Sequence, residues 1–368
     1  MKENFPPSDK NETAKKDGKI SRRAVILGGA AILTTGVAGY MIKKSNELIK
    51  KAPEKVYPPG DISFEAQYSR IERLNINNAQ VGTIDIKPES QKDAVPVLVA
   101  PGWGATMESF KPGIKVLTDK QRRVISLDQP RKGGTIPDSH NEEVEKWYEK
   151  RGEKYPDWPS EELRKAHTIL GLLEQKKIDK VDVIAHSEGA INVCIAAMLQ
   201  PEKFTGRTII LYSPAGLIGK DNIFRLQKGA GANKSRTETM SHIPVTEAET
   251  EYLKSTAHIT PDYLKANPIR AVKELFAISQ AQIEDMLQYL REKGIKIIVV
   301  GAVDDTFFPM DKIQENKKIK SDFSSTNPGE GILDGFVSVS GGHMQIQTHP
   351  ELYMSAIETM LQKPEEKK

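Results

Sequence analysis

The chain has 368 residues, 38% of them hydrophobic and 28% charged, and its 53 Lys and Arg against 50 Asp and Glu leave a formal net charge of +3. That balance describes an ordinary globular body; it excludes a wholly disordered chain and one that charge alone would draw to nucleic acid. One cysteine, Cys194, excludes an intrachain disulfide, and its apolar neighbours mark it as a small core residue.

From the N-terminus, residues 1–23 form a basic, polar region ending in Ser21-Arg22-Arg23, and residues 24–42 (AVILGGAAILTTGVAGYMI) then run without a charge until Lys43 and Lys44. As a helix this run would span roughly 28 Å at ~1.5 Å per residue, close to the thickness of a bilayer core. Arginine pairs before a moderately apolar run resemble a twin-arginine export signal; Phe and Lys at the later positions of that pattern are absent, and a plain signal anchor fits as well. The long basic segment ahead of the run favours an N-terminus inside and a body on the extracytoplasmic side. The expectation is a protein tethered to a membrane by this segment, or exported. Residues 43–60, with Pro53, Pro58 and Pro59, read as a tether. The folded body then occupies 61–362, ahead of a charged tail at 363–368.

Within the body, short apolar runs alternate with longer amphipathic ones. Strands are expected in VGTIDI (81–86), AVPVLVAPGWG (94–104), RRVISLDQP (122–130), KVDVIAHS (180–187), TGRTIILYSPAG (205–216) and GIKIIVVGAVDD (294–305). Helices are expected in MESFKPGIKVLTDKQ, in PSEELRKAHTILGLLEQKK and after Gly189. Continuous apolar strands separated by helices imply an α/β fold, a mostly parallel sheet covered on both faces. From about 217 to 291 no strand is convincing. Some 75 residues of helix-like sequence between two strands suggest a helical cap over one end of the sheet.

Four features of the chain carry chemistry. Ser187 stands where an apolar strand turns into a small-residue helix, in Ala185-His186-Ser187-Glu188-Gly189. Asp304 and Asp305 follow a later strand: counting from Gly301 selects Asp304, and counting back from Pro309 selects Asp305. His343 follows two glycines and precedes the final amphipathic helix, whereas His349 reads as a surface or helix-opening residue. Gly102 and Gly104 flank Trp103 just after an early strand. Together these resemble the α/β-hydrolase superfamily, capped serine hydrolases of the Ser-Asp-His type, over roughly residues 80–362.

The resemblance implies Ser187 as nucleophile, His343 as base and then acid, and Asp304 as the carboxylate orienting it, with Asp305 the alternative. It also implies the backbone N–H groups of Trp103 and Glu188 as an oxyanion hole. This chain departs from the family pattern at Ala185, where a glycine is usual, and at Pro101, where a histidine often stands. The family's turn after the fourth strand is only partly kept in Asp128-Gln129-Pro130-Arg131-Lys132-Gly133-Gly134. A nucleophilic aspartate is absent at 187, which excludes dehalogenase and epoxide-hydrolase chemistry.

The expectation is a carboxylic-ester hydrolase working through an acyl-enzyme on a small-molecule acyl substrate, with no cofactor, no metal and no nucleic-acid partner. Two alternatives stay open: an aminopeptidase holding its substrate amine with Glu247, Glu249 or Glu251, and a non-catalytic tethered binding protein. Phe224, Leu226, Met240, Ile243 and Phe276 could wall a substrate or simply pack the cap; Trp103 could line the acyl pocket or pack. Lys220, Arg225, Lys228, Lys234 and Arg236 against Asp221 could draw an anionic substrate or lipid surface, or be a solvated lid. His186 is expected to pack or hydrogen-bond rather than react.

Overall fold

The apolar runs of the body become one eight-stranded sheet, with strands β1 (Glu72–Ile76), β2 (Ala79–Ile86), β3 (Val97–Ala100), β4 (Val124–Leu127), β5 (Asp182–His186), β6 (Thr208–Tyr212), β7 (Lys296–Ala302) and β8 (Gly335–Val339). Their spatial order is β1-β2-β4-β3-β5-β6-β7-β8, antiparallel at β1–β2 and β2–β4 and parallel elsewhere. The computed structural model describes residues 57–361 apart from 59, 92–94, 131–132, 227, 230–245, 257–258 and 320–330. The expected membrane segment at 24–42, most of the tether and most of the tail therefore lie outside the described residues.

Strands β3 to β6 are buried at every position, as β-branched runs covered on both faces must be. The two edge strands carry no such apolar signal in the sequence. β1 reads ERLNI and β8 GFVSV, and neither is continuously apolar because each has only one neighbour to pair with. β1 and β2 form a hairpin through Asn77 and Asn78, both at positive φ (50° and 63°), the conformation a tight two-residue turn requires and asparagine tolerates.

Helices cover both faces. On one side α1 (Lys111–Asp119) and α8 (Pro350–Glu358) pack together over Val97, Val99, Ile184 and Ile210. On the other lie α2 (Ser160–Gln175), α3 (Gly189–Leu199) and α7 (Glu284–Glu292). α3 is buried on all sides save its last turn, which accounts for its small apolar composition and for Cys194 in its middle. Between β6 and β7, α4 (Glu247–Thr256), α5 (Ile259–Ala266) and α6 (Pro268–Gln280) are the longer helices of the described cap region, after residues 217–226 and 228–229. α7, inside the stretch expected as cap, instead packs on α3 and β7, with Met286, Leu287, Tyr289 and Leu290 in the sheet's own core.

β4 lies on one side of β3 and β5 on the other, so the chain reverses its direction of travel across the sheet between β3 and β5. In an open parallel sheet, the crevice beyond the carboxyl ends of such a strand pair is where ligands bind. The Gly102–Gly104 loop and Ser187 leave the sheet at that point.

Candidate active site

Ser187 has φ +56°, a left-handed conformation that costs a non-glycine residue energy and persists only where its surroundings hold it. Three hydrogen bonds do so: its N–H donates to Tyr212 O (3.1 Å), and its carbonyl accepts from Ala190 N and Ala215 N (both 3.1 Å). The turn is also crowded. A Cβ on Gly189 would stand 2.6 Å from the carbonyl oxygen of Ala100, so glycine is required where α3 starts against β3. A Cβ on Gly102 would lie 2.7 Å from the Ser187 Cβ, which places the glycine loop directly against the serine. Ala185, the departure from the family pattern, is fully buried within β5 opposite Ala100 and Leu211.

The histidine loop comes to the same end of the sheet. His343 is buried, and its Nδ1 lies 2.8 Å from Asp305 Oδ2. The other oxygen of Asp305 accepts from Phe307 N (2.8 Å) and Phe308 N (2.9 Å). Burial works to raise the Asp305 pKa, but the His343 charge and these hydrogen bonds prevail and hold it below the usual carboxylate value. The carboxylate paired with His343 is thus Asp305, not Asp304. β7 continues one residue past Gly301 to Ala302, so the turn starts later than the glycine suggests; Asp304 is partly exposed there, its N–H donating to Gly341 O (2.8 Å).

His186 ties the serine strand to the histidine loop. Its Nε2 lies 3.0 Å from the backbone oxygen of His343, and the two rings meet at a tilt of 42° with 4.7 Å between centroids. A carbonyl only accepts, so Nε2 carries the proton; burial, and then the neighbouring His343, lower the His186 pKa to about 3 and keep the ring neutral. The expected packing and hydrogen-bonding part is the one it plays. His349 opens α8 as expected but is buried, 2.7 Å from Gln345 Oε1.

The backbone N–H groups of Trp103 and Glu188 have no hydrogen-bond partner among the described residues. Both flank the Gly102–Ser187 contact. The Trp103 ring meets Tyr263 of α5 edge-on at 6.3 Å, and Thr260 of the same helix donates to Gly104 O (3.1 Å). Asp128, from the partly kept family turn, accepts from Met107 N (2.9 Å) and so braces the far end of the glycine loop.

One buried constellation has no counterpart in the sequence reading. Glu162 and Lys165 of α2, Glu188 after the serine and Glu274 of α6 are all at most 3% exposed. Lys165 Nζ lies 2.6 Å from Glu188 Oε1 and 3.0 Å from Glu274 Oε1; Glu274 also takes Arg270 (3.2 Å) and the Tyr263 hydroxyl. Burial, then the Glu188 charge, push the Glu162 carboxyl well above its ordinary range, so it keeps its proton. Burial alone would lower the Lys165 pKa, yet the Glu188 and Glu274 carboxylates beside it raise it, so it stays charged. The available signal was weak: a glutamate opening the otherwise apolar α3 needs a cation.

The candidate cap residues divide. Leu226 is buried, Phe224 and Phe276 are about half exposed, and Met240 and Ile243 lie outside the described residues, as do Lys234 and Arg236. Arg225 is no free charge: it pairs with Asp221 and donates to Phe307 O (2.6 Å), bracing the loop after Asp305. Glu247 and Glu251 are exposed on α4, and Glu249 accepts from Thr246 N (2.7 Å) at its start. A cleft of about 600 Å³ beside α4, lined by Tyr68, Met107, Lys111 and Tyr252 among others, includes none of Ser187, Glu188, Asp305 or His343.

Residues 95–229 match a family model described as the alpha/beta hydrolase fold. Solved structures of the same fold include a bacterial membrane phospholipase A, described as a virulence factor (13% identity, 92% of this chain and 94% of the other, TM-score 0.52). The enol-lactonase of Burkholderia xenovorans LB400 (13%, 78% and 98%, 0.51) and a thermophilic esterase of Thermogutta terrifontis (16%, 78% and 97%, 0.51) are similar too. No curated protein sequence matches the chain.

Proposed function

We propose that the chain, whose residues 95–229 match the alpha/beta hydrolase fold, is a serine hydrolase that cleaves a carboxylic ester or similar acyl bond through an acyl-enzyme. The observation that carries this is Ser187, held at φ +56° on the strand-to-helix turn at the end of the sheet that also receives the buried His343–Asp305 pair. Ser187 Oγ would attack the acyl carbon while His343 Nε2 takes its proton; Asp305 holds Nδ1–H and so fixes the tautomer this step needs. The negative oxygen formed would be met by the amides of Trp103 and Glu188. Collapse expels the alcohol, protonated by His343, and water, activated by the same ring, releases the acid and restores Ser187.

The test is covalent. A fluorophosphonate should label the wild type, and Ser187→Ala should abolish both labelling and p-nitrophenyl acetate turnover; labelling that survives the substitution would sink the assignment. The aminopeptidase alternative loses support because Glu247 and Glu251 are exposed on α4. Aminoacyl anilides run beside esters of rising chain length would measure it.

Placement at or beyond a membrane is likewise a proposal, supported by the uncharged run at 24–42. Among the described residues no helix is long and apolar enough to cross a membrane. A reporter fused after residue 60 should be found with membranes or exported; a soluble cytoplasmic reporter would end the idea.

A further inference from the structure

The cap region grips both backbone donors of the candidate oxyanion hole. Thr260 holds Gly104 O at 3.1 Å and Tyr263 abuts Trp103, while Glu274 holds Lys165, which in turn holds the side chain of Glu188. Between them remains a cavity of about 20 Å³, room for about one water, lined by Gly102, Gly104, Lys165, Glu188, Tyr263 and Glu274 among others. Burying an ion pair is a poor route to stability, since well-packed apolar residues usually do as well or better. The position of the pair is therefore informative. It joins α6 of the cap to Glu188, the residue that directly follows the nucleophile.

We propose that Lys165 and Glu274 are positioning residues that hold the Glu188 amide in its oxyanion-binding place only while the cap is seated. This rests on the hydrolase reading of Ser187. Lifting α6 away would strip Glu274 from Lys165 and leave Lys165 to follow one carboxylate or the other. The Glu188 side chain, and with it the backbone of the turn, would then lose its fixed partner. Cap movement and transition-state stabilisation become one event.

Glu274→Gln, which keeps the shape of the side chain and removes its charge, tests this best; Lys165→Met and Lys165→Arg accompany it. The readouts are kcat and KM for p-nitrophenyl acetate, affinity for a boronic acid that mimics the tetrahedral intermediate, fluorophosphonate labelling and the thermal midpoint. Glu274→Gln should lower kcat and boronate affinity together by about tenfold, a fraction of the ~100-fold or more lost with a whole oxyanion donor, and leave KM within about twofold. Lys165→Arg should recover part of what Lys165→Met loses; if the methionine variant does not fold, Glu274→Gln decides alone. A lower thermal midpoint with kcat and boronate affinity unchanged per labelled site would make the cluster purely structural and overturn the inference. Absence of labelling in the wild type would overturn the hydrolase reading and this inference with it.

Discussion

Two sets of buried polar groups flank Ser187, and they are wired differently. On the His343 side, every oxygen of Asp305 has a donor, two backbone amides and one imidazole nitrogen, and the imidazole is left with one nitrogen to exchange a proton. On the Glu188 side, a charged lysine sits among three carboxyl groups, one of which keeps its proton. The first set leaves one imidazole nitrogen free of these bonds, and the proposed hydrolase reading uses that nitrogen to move a proton. The second is arranged so that its charges stay where they are, and its natural use is to fix geometry.

The comparison breaks most readily at the acid. Asp305→Asn removes the acceptor that fixes the His343 tautomer and should reduce kcat for p-nitrophenyl acetate by about a thousandfold or more. Asp304→Asn, at a partly exposed site whose observed tie to the histidine loop is a backbone one, should stay within about threefold. Equal losses would mean that the Asp305–His343 pair does not carry the catalytic role given to it.

Opposite pH slopes offer a second, smaller distinction. Asp305 has its folded pKa lowered, so its contribution to stability is present above the unfolded value of about 3.9 and is lost as pH falls through the folded one. Glu162 has its folded pKa raised, so its contribution is full below about 4.3 and is lost as pH rises through the folded value. Glu162→Gln cannot ionise. It should therefore flatten the fall in thermal midpoint on the alkaline side and leave the acid limb unchanged. Glu188, which interacts with Glu162 and whose own pKa burial also raises, can carry part of that slope, so a slope unchanged in the glutamine variant would show that Glu162 is not the group responsible for it.

How much of this was legible in the sequence follows the same division. Strands β3 to β6 are readable because a strand covered on both faces must be a continuous apolar, β-branched run, β2 because it alternates at period two, and the Ser187 turn because strand, serine and Gly189 follow in order. The edge strands β1 and β8 lacked that signal for want of a second neighbour. Counting from Gly301 points to Asp304 because glycine often ends a strand, but β7 runs one residue further, to Ala302, and the turn then presents Asp305. The Glu162–Lys165–Glu188–Glu274 cluster was invisible for a deeper reason: its members come from two layers and the cap, and on α2 alone Glu162 and Lys165 look like any solvated i, i+3 pair.

The two small residues around Ser187 give the finest test. Gly189 and Ala185 occupy the two glycine positions of the family pattern, yet the structure makes unequal demands on them. Any side chain at 189 meets the Ala100 carbonyl at 2.6 Å, a backbone atom that cannot swing away, so Gly189→Ala should displace α3 from β3 and cost both stability and turnover. At 185 the methyl is already accommodated in the β5 ladder. Ala185→Gly restores the family residue, but it also loosens a strand interior and should cost about 0.5–1 kcal/mol of stability with no gain in kcat. A clear rise in kcat on denaturation-corrected protein would show that the alanine methyl strains the Ser187 turn, and that the site as it stands trades rate for a firmer strand.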